Sequence, residues 1–172
     1  MTLTPEDGTG VADANCYIDQ AYADTYFTDR GDTVWSAAAV ADKEAAIIKA
    51  TDYIELRFAD RWKGALSADA TTLSWPRDYV YDRKGAAVTN AIPEDLKKAS
   101  AEYALRALSA ALLPDPTVED NGQLVKSTLS IVGPITDQVT YQTGGQVNEI
   151  RSYPAADRLL KFWLISSGGV YR

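Results

Sequence analysis

Residues 93–113 read PEDLKKASAEYALRALSAALL, and this stretch predicts the central helix of a mainly α-helical fold. Pro93 stands where a first-turn proline belongs, because its missing N–H is not needed there, and Pro114 ends the pattern. Two apolar stripes run along the stretch, one at Leu96, Ala99, Tyr103, Ala107 and Ala110, the other at Ala101, Leu105, Leu108 and Leu112. A helix that is apolar on two sides is either central to its own bundle or buried between subunits.

Three further helices are predicted around this one. Asp19 can cap a helix over residues 20–30, and Gly31 is placed to stop it. Residues 42–58 carry apolar side chains at steps of three and four, which is typical of an amphipathic helix. A short helix over residues 154–165 begins with a proline. The chain is therefore expected to form a bundle of about four helices.

The remaining segments predict a long ordered loop and an extended or β arm. Residues 59–92 carry several aromatic side chains, and a segment of that length inside a compact domain is usually packed on itself. Residues 124–141 alternate partly between apolar and polar positions, with a break at Gly133-Pro134, which predicts two strands or a bent arm within 124–153. The expected organisation is an extended lead-in (1–15), a helical bundle core (16–116), the arm (117–153), and a C-terminal helix and tail (154–172).

The composition excludes several classes of catalytic and metal-binding site. The chain has no histidine and a single cysteine, Cys16, so it cannot carry a serine–histidine or cysteine–histidine hydrolase site or a multi-cysteine zinc site. Cys16 itself is expected to be a small buried residue. We therefore expect no enzyme activity, no metal and no cofactor. No run of 18 apolar residues and no secretory signal is visible, which predicts a protein made in the host cytoplasm without a membrane partner.

The net charge of −7 bears on nucleic-acid binding, because a protein that neutralises phosphates needs a positive surface. One hypothesis is a cationic groove for single-stranded DNA, formed by Arg61, Lys63, Arg77, Arg83 and Lys84 together with the nearby aromatic side chains. The other is that the aromatic side chains only anchor the loop, through Trp62, Trp75, Pro76 and Arg77. The second is favoured here, because aspartates lie between the basic residues.

The ordered set of motifs resembles a family of phage and prophage proteins labelled DnaT-like single-stranded-DNA-binding, and is similar to the head-to-tail connector, or adaptor, proteins of tailed phages. The resemblance covers roughly residues 14–141, and its most specific piece is Trp75-Pro76-Arg77. The segments that carry it are Asn15-Cys16-Tyr17-Ile18-Asp19, Ala23-Asp24-Thr25-Tyr26-Phe27, Trp35, KEAAIIKATDYI at 43–54, Leu73-Ser74-Trp75-Pro76-Arg77, Ile92-Pro93, Leu113-Pro114-Asp115, Lys126-Ser127 and Gly133-Pro134.

The connector resemblance implies a structural virion protein at the neck. Its subunits would form a homo-oligomeric, dodecameric ring beneath the portal protein, with a stopper, neck or tail-completion protein below. DNA would pass through the ring without tight binding, which an acidic surface favours. The DnaT-like label implies the alternative, single-stranded-DNA binding in phage replication. The connector is the function favoured by the sequence.

A connector needs contact surfaces, and ten apolar residues are candidates for a subunit, portal or neck interface. They are Leu105, Leu108, Leu112, Val125, Leu129, Ile131, Ile135, Leu160, Trp163 and Leu164. An apolar arm can add a strand to a neighbouring sheet, or it can fold as a hairpin of its own, and both alternatives stay open. The C-terminal apolar residues can pack in their own core or against a neighbour, and the interface is favoured.

Overall fold

The computed structural model describes residues 2–114, 125–131, 136–141 and 152–165. The chain divides into two compact units, the first formed by residues 1–112 with 152–172, the second by residues 113–151. Helices dominate the described part, which confirms the prediction of a mainly α fold. No helix in these described ranges has both the length and the apolar character needed to cross a membrane.

The first unit contains the helical bundle. Its helices are α1 (Gln20–Thr28), α2 (Thr33–Ala37), α3 (Val40–Phe58), α4 (Glu94–Ser109) and α5 (Pro154–Leu160). Helix α4 packs against both α3 and α5. Its side chains Leu96, Ala101 and Tyr103 are fully buried within this unit. Of the two alternatives for a helix with two apolar sides, a central position in its own bundle is therefore the one observed.

Several helix boundaries differ from the prediction. Helix α4 ends at Ser109 rather than Leu113, and Ala110 is extended, with φ −160° and ψ 161°. Pro114 prevents the chain from continuing as a helix beyond Leu113. Helix α1 ends at Thr28, two residues before the predicted end. The C-terminal helix stops at Leu160 and continues as a 3₁₀ turn over Lys161–Trp163.

Helix α2 was not predicted. The side chain of Asp32 caps it by accepting the N–H of Trp35 at 2.9 Å, as a helix N-cap does. The indole of Trp35 is buried against Phe27 and donates to the carboxylate of Asp24 at 2.7 Å. Lys43 binds the same carboxylate at 2.9 Å. Trp35 therefore joins α1, α2 and α3 and is part of the core.

The long loop 59–92 is ordered, as predicted. It begins with a 3₁₀ turn at Ala59–Arg61 and contains a small antiparallel pair, β1 (Ala65–Leu66) with β2 (Arg77–Asp78). Trp62 and Trp75 are buried, and their rings lie 5.8 Å apart. The ring of Trp75 in turn lies 5.9 Å from that of Trp163. These three indoles attach the loop to the C-terminal segment.

The N-terminal residues pack on this loop through a buried carboxylate. Glu6 is 2% exposed and accepts the N–H groups of Gly8, Gly10 and Val11, each at 2.9 Å. Gly10 has φ +81°, and a Cβ there would lie 1.8 Å from the carbonyl oxygen of Asp69. The predicted extended lead-in is thus a turn closed around Glu6 and seated on the loop.

The second unit contains a β-hairpin in its described part. Strand β3 (Val125–Ile131) pairs antiparallel with β4 (Thr136–Tyr141), and a register shift lies between Val125 and Ser127. Of the two alternatives predicted for this segment, two strands or an extended arm, two paired strands are observed. Residues 142–151, in the predicted arm, lie outside the described residues.

Candidate nucleic-acid interface

The C-terminal segment lies beside residues 61–63 because two stretches far apart in the chain pair their backbones. The N–H of Lys63 donates to the carbonyl of Trp163 at 2.9 Å, and the N–H of Ile165 donates to the carbonyl of Arg61 at 2.7 Å. This pairing places the Lys63 ammonium against Phe162, where it donates to the Phe162 carbonyl at 2.5 Å. The same Nζ lies 4.6 Å from the centroid of the Phe162 ring.

A second cation approaches the same ring. The Cζ atom of Arg83 lies 5.2 Å from the Phe162 centroid. Its guanidinium binds the Asp95 carboxylate at 3.2 Å, and that carboxylate also accepts the indole N–H of Trp163 at 3.1 Å. Asp95 lies in the first turn of α4, so one carboxylate connects Arg83, Trp163 and the bundle. The Arg83 side chain remains 65% exposed.

These contacts frame a groove of about 690 Å³, which we call the cationic groove. It is lined by four basic and three apolar side chains: Lys63, Arg83, Arg158, Lys161, Phe162, Leu164 and Ile165. A flanking groove of about 520 Å³ shares Arg158, Lys161, Leu164 and Ile165 with it and adds Arg57, Phe58, Arg61, Ser152, Pro154 and Asp157. Arg158 and Lys161 therefore border both grooves.

Asp157 is the acidic residue of the flanking groove, and its charge is compensated. Arg57 binds both its oxygens, Nη1 to Oδ1 at 2.7 Å and Nη2 to Oδ2 at 2.8 Å. Burial alone would raise the pKa of Asp157, but hydrogen bonds from Tyr103, Ser152 and Arg57 outweigh burial and lower it. The carboxylate is therefore ionised at neutral pH and paired with a single guanidinium.

Four other cations at the grooves have no acidic partner among the described residues. In the part of the chain that the structure describes, no carboxylate oxygen lies within 4 Å of Arg61, Lys63, Arg158 or Lys161. By contrast, Lys43, Arg57 and Arg106 are each paired with an acid. These four cations line two grooves that share residues, and their charge favours an anionic ligand there.

The residues proposed from sequence as a nucleic-acid surface separate into two groups. Arg61, Lys63 and Arg83 line the grooves. Arg77 does not, because its guanidinium donates to the main-chain carbonyls of Lys63, Gly64 and Ser74, at 2.8, 3.1 and 3.1 Å. Lys84 is exposed in a turn and lines neither groove.

The proposed anchor residues lie in the core of the first unit. Trp62, Trp75 and Pro76 are buried, and Arg77 ties the two strands of the small sheet to the turn before them. Trp62 and Trp75 are therefore not available for base stacking. Both of their indole N–H groups are buried without a hydrogen-bond partner among the described residues.

Sequence reasoning missed Arg158, Lys161 and Phe162. Arg158 and Lys161 are three residues apart, which places two cations on one side of a short helix. That spacing was the only available signal. No local pattern connects them with Lys63, which lies 99 residues before Phe162 in the chain.

The predicted interface residues differ in burial and in the unit to which they belong. Leu112, Leu160, Trp163 and Leu164 are between 0% and 8% exposed, because they pack in the core of their own unit. For these four, packing in their own core is the observed alternative. Leu105 and Leu108 are half-buried. Val125, Leu129 and Ile131 belong to β3, and Ile135 lies outside the described residues.

The predictions about metals and cysteine chemistry have different outcomes. Cys16 is fully buried, and burial raises the pKa of its thiol to about 12, so it is protonated at neutral pH. Within residues 2–114 and 152–165, no group of three acidic or cysteine side chains is arranged to hold a metal ion. The absence of a cofactor and of enzyme activity stays a prediction.

Comparison with known proteins corrects the functional prediction. A family model described as "Putative DnaT-like ssDNA binding protein" matches residues 1–172, the whole chain. A search of curated proteins and a search of solved structures returned no match. The prediction of a virion connector ring, with portal and neck partners and DNA passing without tight binding, is wrong against this match. The connector prediction rested mainly on the resemblance to connector proteins, and the net charge of −7 does not exclude a local basic surface. The chain belongs to the DnaT-like ssDNA binding family.

Proposed function

We propose that the protein binds single-stranded DNA in the cationic groove. The observation that carries the proposal is a set of cations with no acidic partner in the described part of the chain, Lys63, Arg158 and Lys161, which line one groove with the partly exposed Phe162. Cations that hold a phosphate backbone and an aromatic ring that stacks a base are the two components of a single-strand site. The family description supports the same class of ligand.

The cations contribute an affinity that does not depend on the base sequence of the DNA. Each phosphate that they neutralise releases condensed counterions, so binding weakens as the salt concentration rises. Arg61 lines the flanking groove, which shares Arg158 and Lys161 with the cationic groove, so positive side chains line both grooves. The backbone can thus follow one line of charge over both grooves.

The ring of Phe162 supplies a stacking surface beside that line. Lys63 and Arg83 lie near this ring in the free protein, at 4.6 and 5.2 Å from its centroid. Arg83 is largely exposed, so it can exchange the Asp95 carboxylate for a phosphate when a base stacks on the ring. Stacking requires an unpaired base, which is why the proposal names a single strand and no duplex.

The acidic remainder of the chain limits where DNA can bind. The net charge of −7 opposes the binding of a polyanion to the protein as a whole, so the local positive charge of the grooves must outweigh it. We propose no catalytic step at this site. Binding alone accounts for the side chains present.

The proposal is tested by titrating labelled oligo-dT with the whole protein and following fluorescence anisotropy at low and moderate salt. We expect Lys161→Glu to lower the affinity more than ten-fold, because it replaces an attraction with a repulsion at a residue that lines both grooves. Lys49→Glu is the matched control, since Lys49 is an exposed lysine of α3 that lines neither groove. Equal effects of the two substitutions, or binding that ignores salt, would refute the proposal.

A further inference from the structure

Two tyrosines in the loop between β2 and α4 are exposed without partners. Tyr79 is 81% exposed and Tyr81 is 56% exposed, whereas Val80 between them is 2% exposed. Among the described residues, neither tyrosine side chain makes a hydrogen bond or a ring contact. Large aromatic side chains are usually buried at least in part, and an exposed pair is informative for this reason.

The backbone at Tyr79 adds a second, independent observation. Its φ is +59°, in the left-handed region that a bulky side chain rarely adopts. A glycine or asparagine would fit this position with less strain. A strained and exposed tyrosine points to a role other than stability.

The tyrosines lie along a segment that leads to the cationic groove. A Cβ at Gly64 would lie 2.2 Å from the carbonyl oxygen of Asp78 and 2.5 Å from a methyl group of Val80, so residues 78–80 pack directly on the backbone next to Lys63. Arg83 lines the groove and follows Tyr81 by two residues. The four residue steps from Tyr79 to Arg83 span at most about 14 Å.

We propose that Tyr79 and Tyr81 stack the bases of a single strand whose backbone lies in the cationic groove, and so lengthen the binding track beyond Phe162. This inference rests on the proposed function and extends it to further bases. Stacking on two successive rings requires a flexible strand with unpaired bases. It also explains why the aromatic pair lies on the segment that leads to the cationic groove.

The test compares two ligands of equal length, oligo-dT and an abasic oligonucleotide that has the same phosphates but no bases. We expect Tyr79→Ala combined with Tyr81→Ala to weaken oligo-dT binding about ten-fold or more, and to leave abasic binding unchanged. The Tyr79→Phe and Tyr81→Phe pair should keep the wild-type affinity, because the rings are retained. The salt dependence should be unaltered in both, since no charge is removed.

Leu56→Ala is the control for loss of an exposed apolar side chain, because Leu56 is 69% exposed on α3. If the double alanine variant binds oligo-dT like the wild type, or loses equal affinity for both ligands, the inference is overturned. Lys161→Glu would still test the groove separately in that case. If wild-type protein binds no oligo-dT at all, the proposed function and this inference both fail.

Photocrosslinking tests the inference on the unaltered protein. Wild-type protein is irradiated with iodouracil-substituted oligo-dT, and the adducts are located by mass spectrometry. We expect adducts on Tyr79 or Tyr81 in addition to Phe162. Adducts on Phe162 with none on either tyrosine would overturn the inference and leave the groove in place.

Discussion

Arg57 and Asp157 form a two-point ion pair across 100 residues of chain, with Nη1–Oδ1 at 2.7 Å and Nη2–Oδ2 at 2.8 Å. The pair joins α3 to α5, and α5 carries Arg158 at the edge of the cationic groove. Tyr103 of α4 donates to the same carboxylate. One carboxylate thus fixes the three helices that position the groove.

Replacing Asp157 by asparagine should lower the free energy of unfolding by about 3 kcal/mol, because a largely buried guanidinium loses its charged partner. Urea unfolding followed by circular dichroism measures the change. Asp60→Asn is the control, since Asp60 is exposed and its substitution should cost less than about 0.5 kcal/mol. A loss as small as that of the control would contradict a structural role for the pair.

The lowered pKa of Asp157 predicts how the free energy of unfolding changes with pH. The pKa of Asp157 is lowered in the folded protein from its usual 3.8, so folding favours the ionised form. Its stabilisation is complete above that usual value and is lost as the pH falls towards the lower, folded-state pKa. The stability difference between wild type and Asp157→Asn should therefore be largest near neutral pH and shrink in acid. A difference that grows on acidification would contradict this sign.

The salt dependence of the binding constant should report how many phosphates the protein neutralises. For a single strand, the slope of log K against log salt is about −0.7 for each phosphate neutralised. Removing one groove cation by Arg158→Ala should reduce the magnitude of the slope by about 0.7. Lys49→Ala should leave it unchanged, because Lys49 lines neither groove. An unchanged slope for Arg158→Ala would place the phosphates elsewhere.

Phe162 should contribute through its ring rather than through charge. Phe162→Ala is expected to weaken oligo-dT binding by about 1–3 kcal/mol and to preserve the salt slope, whereas Phe162→Trp should bind at least as well. Anisotropy titrations at two salt concentrations measure both quantities. Thermal unfolding monitors the fold, because Phe162 is half-buried and packs on Trp163 with ring centroids 5.0 Å apart. Equal binding by the alanine and tryptophan variants would exclude stacking at this position.

Replacing each of two glycines with positive φ by alanine should lower the free energy of unfolding by different amounts. At Gly10 a Cβ would lie 1.8 Å from the backbone oxygen of Asp69, so Gly10→Ala must displace the N-terminal turn and should cost more than about 2 kcal/mol. At Gly31, with φ +65°, nothing lies within 4 Å, and only the backbone preference of about 1 kcal/mol is lost. Chemical unfolding of both variants gives the comparison, and similar losses would contradict the packing of the N-terminal turn on the loop.

The local sequence pattern was sufficient to predict the long helices and to predict that the loop 59–92 is ordered. The stripes of α3 and α4 arise from the 3.6-residue period, which depends on neighbouring residues alone. The aromatic content of residues 59–92 likewise predicted a packed segment. Helix α2 was missed because five residues are too few to show a period, and its Asp32 cap and the buried Trp35 define it only in the folded state.

The sequence by itself determined a mainly helical chain, because backbone preferences and apolar spacing act over a few residues. It also listed Arg61, Lys63 and Arg83 as candidates for DNA contact. Only the tertiary structure brought Arg158, Lys161 and Phe162 to them, through the backbone pairing of residues 61–63 with 163–165. Net charge sums over the whole chain, whereas a polyanion responds to the charges near its binding path. The net charge of −7 was therefore compatible with a connector, and it does not exclude the basic surface that the fold assembles.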